Sequence, residues 1–264
     1  IDISGQSSDL LLDLSAEEPF RNPVEQKHSP GSSSNEWIPL FNGKDLDNWY
    51  FITRDTNFQG SKASIFAIEQ DMIHVYPTQE NLSTQTFASL TTKKSYSHFR
   101  LKLEYKWGDH KFKPREKSVR DAGIIFHVHG ADIIWPNGVE CQIQEGDTGD
   151  IWAIGTRVSS PISDVIRNYS AQGSLATRGR PEKRFSRFHR GYCWEKPEWN
   201  LVELEVRGDH AIFKVNGNIV NEAIDMQTYN PEINNYQPLT AGKILIQAEG
   251  AELYYRNIYI QELR

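Results

Sequence analysis

Phe99-Arg100-Leu101-Lys102-Leu103-Glu104-Tyr105-Lys106-Trp107 alternates apolar and charged residues without a fault. A helix needs apolar residues about every 3.6 positions. A period of two marks a strand with one buried and one wetted face. The period returns from Trp199 to Val206, with Val202, Leu204 and Val206 against Leu201, Glu203 and Glu205. Gly208-Asp209-His210 turns the chain into Ala211–Val215. Asn216-Gly217 then reads as a hairpin turn into Ile219-Val220, because both residues tolerate positive φ. The same pattern closes the chain, in Lys243–Gln247, a turn at Gly250, and Leu253–Ile260. No long amphipathic helix is legible; Asp164 to Tyr169 reads as one helical turn or two. Many short strands separated by turn signals predict an all-β antiparallel sandwich or jelly roll.

At 264 residues the chain is long for one domain, but all-β units of roughly 200–250 residues are routine. Residues 1–35 read as a tail, ending in the linker Ser29-Pro30-Gly31-Ser32-Ser33-Ser34-Asn35. Within it, Leu10-Leu11-Leu12-Asp13-Leu14 is a candidate edge strand or a segment lying along the body. One domain is expected over 36–264. The net charge of −6 carries no basic footprint for nucleic acid. No run approaches the ~18 apolar residues of a membrane span. Residue 1 is Ile, as after removal of a secretory signal. The expected location is secreted or periplasmic, with a lipid tether left open. Residues 146–198 interrupt the alternation, and Arg178, Arg180, Lys183, Arg184, Arg187 and Arg190 crowd there. They read as a long loop insertion, either a solvated surface or a rim over a site. Cys141 alternates with core residues, so a buried free thiol is expected rather than a bridge to Cys193.

The chemistry concentrates between Asp121 and Trp152. Asp121–His129 and Gly138–Glu145 read as neighbouring strands. Side chains alternate across a strand. Val139, Cys141 and Ile143 therefore take one face, and Glu140, Gln142 and Gln144 the other. By the same parity His127 and His129 oppose Ile124, Phe126 and Val128. If the strands pair apolar face to apolar face, one patch holds His127, His129, Glu140, Gln142 and Gln144. Such a patch suits a carbohydrate, whose hydroxyls need both donors and acceptors. Trp135 and Trp152 are placed to stack on sugar rings. His127, His129 and Glu140 are also a two-His, one-carboxylate set, which leaves a divalent metal as an alternative. Asp147 and Asp150 are a weaker candidate pair for Ca²⁺. The odd spacing of Glu140 and Glu145 puts them on opposite faces of a continuous strand, which argues against a glycosidase pair unless a bulge intervenes.

Six marks resemble the 3-keto-disaccharide hydrolase domain family over about 36–264: Trp37-Ile38-Pro39-Leu40-Phe41-Asn42-Gly43-Lys44-Asp45-Leu46 with Trp49; Asp121-Ala122-Gly123-Ile124; Val139-Glu140-Cys141-Gln142-Ile143; Trp199-Asn200; Val215-Asn216-Gly217; and Gly242–Gln247 through Arg256-Asn257-Ile258. The resemblance implies a concanavalin A-like jelly roll of two antiparallel sheets, a substrate on its concave sheet, and an exported carbohydrate-degrading protein of the kind found in Bacteroidetes. Two departures stand out: Ala122 where such proteins often carry Ser, and a larger arginine-rich segment.

The implied chemistry is unusual. A ketone at C3 acidifies the C2 hydrogen, and the resulting enolate expels the C1 oxygen. Catalysis then needs a base, an acid and an oxyanion stabiliser, not the spaced carboxylates of ordinary glycosidases. His127 or His129 is expected to move the proton, with Glu140 orienting that imidazole or acting as acid. Gln142 and Gln144 would hold hydroxyls, and Lys113, Arg115 or Arg120 would stabilise the enolate. The competing readings are a non-catalytic carbohydrate-binding module and, more remotely, an adhesion sandwich.

Overall fold

A computed structural model describes residues 36–264. The expectations for the tail, its candidate strand at Leu10–Leu14 included, lie outside the described residues. The described chain is a jelly roll of two antiparallel sheets, with one short 3₁₀ helix at Lys62–Ser64.

The Phe99–Trp107 alternation becomes the His98–Lys111 strand. Phe99, Leu101, Leu103, Tyr105 and Trp107 face the interior. On the outer face cross-strand charges pair, Arg100 with Glu205 at 3.0 Å and Arg256 with Glu104 at 2.5 Å. This strand is the middle of the larger sheet. It pairs Asn200–Arg207 on one side, with Leu204 opposite Leu101, and Ala251–Glu262 on the other. Asn216 and Gly217 take the positive φ of the expected hairpin, at 50° and 83°. The smaller sheet runs in the order Phe185–Phe188, Ile151–Ile154, Asn137–Gln144, Asp121–His129, Lys243–Ala248, Ala88–Thr92, Trp49–Thr53. Its inner face packs Ala122, Ile124, Phe126, Val139, Cys141 and Ile246 against the larger sheet's inner face. Cys141 and Cys193 are free thiols, Cys141 buried.

Residues 146–198 are not a loop. Alternation there is confined to short strands and escapes a period-two reading. Ile151–Ile154 extends the smaller sheet. Gly155, at φ 60°, lets the chain cross to Thr156–Ile162 in the larger one. Ser174–Arg178 and Phe185–Phe188 then form one edge strand on each sheet. Their anchor is Asp150, fully buried. It accepts from Arg187 Nε at 2.6 Å, and from Arg190 through the backbone N–H at 2.8 Å and Nη1 at 3.0 Å. Asp147 pairs with the same two guanidiniums. Both carboxylates suggested for Ca²⁺ are thus held by arginine. At 164–169 there is a single turn, closed by the Arg167 N–H on the Ser163 carbonyl.

Strand parity fails at one position. The pairing of Asp121–His129 with Asn137–Gln144 shifts register between Phe126 and His129, and His127 has φ 51°. A bulge adds a residue and re-aims the side chain. Phe126 and His127 consequently both turn inward. The His127 ring packs edge-on against Phe126 and Phe99, and its Nε2 bonds the Gly208 carbonyl at 2.7 Å. Nδ1 is buried without a partner.

Burial lowers His127 from 6.5 to about 4. The folded state therefore resists its protonation. The stability this contributes is complete above pH 6.5 and is lost as pH falls toward 4, by about 3 kcal/mol in all. His127→Gln, which keeps a donor for Gly208, is expected to lose less stability than the parent between pH 7 and 4.5, by about 2 kcal/mol in denaturant titrations. Asp150→Ala is expected to cost about 2 kcal/mol and to lower Tm accordingly, because Arg187 and Arg190 lose a fully buried partner and keep only the partly exposed Asp147.

Candidate functional site

The outer face of the smaller sheet carries the site. Register sets its rows: Asp121 opposes Gln144, Gly123 opposes Gln142 and Ile125 opposes Glu140. Trp152 comes next to Glu140 on one side, and Leu245 next to Ile125 on the other. Period two then brings Gln247 to the same face, with Glu249 just past the strand end. A cleft of about 440 Å³ opens here, lined by Asp121, Glu140, Gln142, Gln144 and Glu249, by Arg115, and by Trp135, Trp152 and Phe185.

Gly123 makes the room. A Cβ there would lie 2.0 Å from Glu140 Oε1 and 2.3 Å from Gln247 Oε1. The absence of a side chain lets the carboxyl fold down into the sheet surface. Glu140, Glu249 and Asp121 are all buried. Arg115 is their cation: one Nη bonds Asp121, and the other lies 3.2 Å from Glu249 Oε2. Asp121 also accepts from Gln142, and Glu249 from the Trp135 indole N–H.

These surroundings separate the two glutamates. Burial pushes Glu140 well above the ordinary carboxylate range, and the charge of Glu249 pushes it further; the Gln247 amide and Arg115 oppose this only in part. Burial also raises Glu249, but Arg115, Trp135 and Arg54 act against it directly. Two carboxyls crowded in one dry site do not both ionise readily. Glu140, which has no ion pair among the described residues, is thus the more inclined of the two to keep a proton, and Glu249, beside Arg115, the more inclined to keep a charge. Gln247 is fully buried and neither of its amide atoms makes a well-formed hydrogen bond. Such a group is costly unless something bonds it. A ligand hydroxyl is one such partner.

The structure thus places Glu140, Gln142, Gln144, Trp135 and Trp152 around one cleft. It does not bring the two histidines there. His127 lies between the sheets. His129 bonds the His127 carbonyl and Thr228 Oγ1, and lines a separate hollow with Asp132 and Lys243. The bulge dissolves both the proton-transfer set and the metal set of His127, His129 and Glu140. Lys113 is exposed and outside the cleft lining, and Arg120 binds the Gly108 carbonyl and lies near Glu145; of the three basic residues, only Arg115 lines the cleft. Glu249, Asp121, Gln247 and Phe185 were missed. Parity did carry a signal for three of them: Asp121 shares the face of Gly123, and Gln247 and Glu249 that of Leu245. Ala122 is buried between the sheets, so the side chain at this position does not reach the cleft.

A model of the 3-keto-alpha-glucoside-1,2-lyase-like domain matches residues 36–261. Two solved structures from Parabacteroides distasonis ATCC 8503, both provisionally assigned as glycosyl hydrolases, are similar in fold. One is 18% identical with a TM-score of 0.52, covering 87% of this chain and 100% of its own. The other has the same identity and TM-score, covering 86% and 94%. No curated protein sequence matches the chain.

Removing one of two coupled charges should relax the other group. Glu249→Gln is expected to bring the Glu140 titration down toward the usual carboxylate range, observable by carboxyl carbon NMR. An unchanged or higher Glu140 value would contradict the coupling.

Proposed function

The chain belongs to the 3-keto-alpha-glucoside-1,2-lyase-like family, and from that premise we propose that its cleft breaks the glycosidic bond of a 3-keto sugar by elimination. The observation that carries this reading is the pair of buried glutamates, one inclined to keep a proton and one to keep a charge. Groups whose environments set their affinities for protons apart divide naturally into acid and base.

The Glu249 carboxylate takes the C2 proton, made acidic by the ketone. The electron pair moves into the enolate and then forms the C1=C2 bond as the C1–O bond breaks. Glu140, entering as the carboxylic acid, gives its proton to the departing oxygen. The products are an unsaturated keto sugar and a free alcohol; addition of water across C1=C2 completes a net hydrolysis. Arg115 supplies the fixed positive charge for the enolate, which is worth most in a site that excludes water. Gln142, Gln144 and Gln247 bind hydroxyls, and Trp135, Trp152 and Phe185 pack against ring faces. The histidines take no part.

A carbohydrate-binding module would use the same cleft without proton transfer, so turnover separates the two readings. Glu140→Gln and Glu249→Gln are each expected to reduce turnover of 3-keto glycosides by about 10²-fold or more while sugar affinity persists. Turnover should also fall as pH rises through the raised titration of Glu140, where the acid is lost. Unchanged turnover in both variants, or no cleavage of any 3-keto glycoside by the parent, would defeat the proposal.

A further inference from the structure

The arginine-rich segment plays no part in the cleavage chemistry. Beside the glutamate cleft lies a second hollow of about 890 Å³. The two share Trp152 and Phe185 as a common wall. Phe185 stands edge-on to both Trp135 and Trp152, each at 6.5 Å between ring centres. The aromatic surface is therefore continuous from one hollow to the next.

The chemistry changes along it. The second hollow is lined by Arg178, Arg180, Lys183 and Arg187, with Glu182 as its one acid. Arg187 is neutralised by Asp147 and Asp150. The others are not. Arg178 donates to the Arg187 carbonyl and lies over the Phe188 ring, 4.4 Å from its centre, without a carboxylate. Burial and then the charge of Arg167 lower Arg178 from its ordinary value. Arg180 and Lys183 are exposed and make no ion pair among the described residues. A chain with net charge −6 thus gathers unpaired cations at one end of a cleft whose other end is acidic. Like charges so placed repel unless an anion joins them.

We propose that this hollow is a subsite for an anionic substituent, a uronate carboxylate or a sulfate ester, on the unit adjoining the sugar that is cleaved. Guanidiniums match the paired oxygens of either group and bind them by charge-assisted hydrogen bonds. The edge strand Phe185–Phe188, anchored through Asp150, holds the lining in place beside the aromatic wall. The assignment rests on the cleft being a carbohydrate site, but not on its catalysing any reaction.

The test is binding to a glycan panel in which each neutral di- to tetrasaccharide is matched by a uronate form and a sulfated form. The intact chain is compared with an Arg180→Ala, Lys183→Ala double variant, both substitutions lying at exposed positions. The acidic forms are expected to bind about tenfold or more tighter than their neutral counterparts at low salt. That preference should collapse in the double variant and in high salt. Which acidic form gains most distinguishes carboxylate from sulfate. Neutral forms bound as tightly as acidic ones, or an acidic preference that survives the double variant, would overturn the subsite and leave the cleft reading intact. Failure to bind any glycan would overturn both.

Discussion

The site depends on one register, Ile125 opposite Glu140 in the pairing of Asp121–His129 with Asn137–Gln144. Side-chain direction in a sheet has a period of two, so a slip of one residue would send every polar group of this face into the core and Cys141, Ile143 and Val139 into solvent. The burial cost of those apolar residues forbids the slip. The same register sets Gly123 among the carboxyls, and only there does a missing Cβ let Glu140 lie down beside Gln247. Burial of that carboxyl follows, and its raised proton affinity follows from burial. Packing of the interior thus determines the chemistry of the exterior face.

The bulge at His127 is the exception that this constraint tolerates. An extra residue between Phe126 and His129 returns Val128 to the outer face, where it joins Ile125, Ile154 and Leu245 under the two tryptophans. The imidazole it displaces inward closes against the opposite sheet through Gly208. His127 is thereby a structural link between the sheets, held neutral by its surroundings. Asp150 plays the matching part at the other end of the site. It ties the arginine-rich edge to the smaller sheet, and by occupying Arg187 and Arg190 it leaves the charges of Arg180 and Lys183 uncommitted.

Much of the fold was legible because alternation is a local property. The strands around Leu103, Leu204, Phe213 and Ile246 could be read from a few neighbouring residues, as could the Asn216-Gly217 turn. The cleft was half legible for the same reason: Glu140, Gln142 and Gln144 follow from parity along one strand. His127 was misplaced because a bulge depends on backbone φ at a non-glycine residue, which leaves no compositional trace. Glu249 was overlooked because its strand reads as ending at Gln247, and its meaning appears only when Arg115 and Trp135 arrive from distant parts of the chain. Residues 146–198 read as a loop because strands of four to seven residues, several of them edges, show too few alternations to register.

The family marks divide on physical grounds into those that build the sandwich and those that arm it. Asn200 accepts from the Lys196 backbone N–H and from Asn216, while Asn216 accepts from the Leu201 N–H; the marks at Trp199-Asn200 and Asn216-Gly217 are thus one hydrogen-bonded corner. Trp49 donates to the Leu40 carbonyl, and Asn42 caps the turn at Lys44 and Asp45, so the first mark is a clasp at the start of the domain. None of these groups lines the cleft. The marks at Asp121-Ala122-Gly123 and Glu140-Cys141-Gln142 are different: alternate residues serve core and cleft in turn, Ala122 and Cys141 inward, Asp121, Gly123, Glu140 and Gln142 outward. A substitution at an inward position changes packing, and one at an outward position changes chemistry. The arginine-rich edge belongs to neither class. It adds charge beside the cleft carboxyls without touching them, and that is where a difference in substrate, rather than in reaction, would be written.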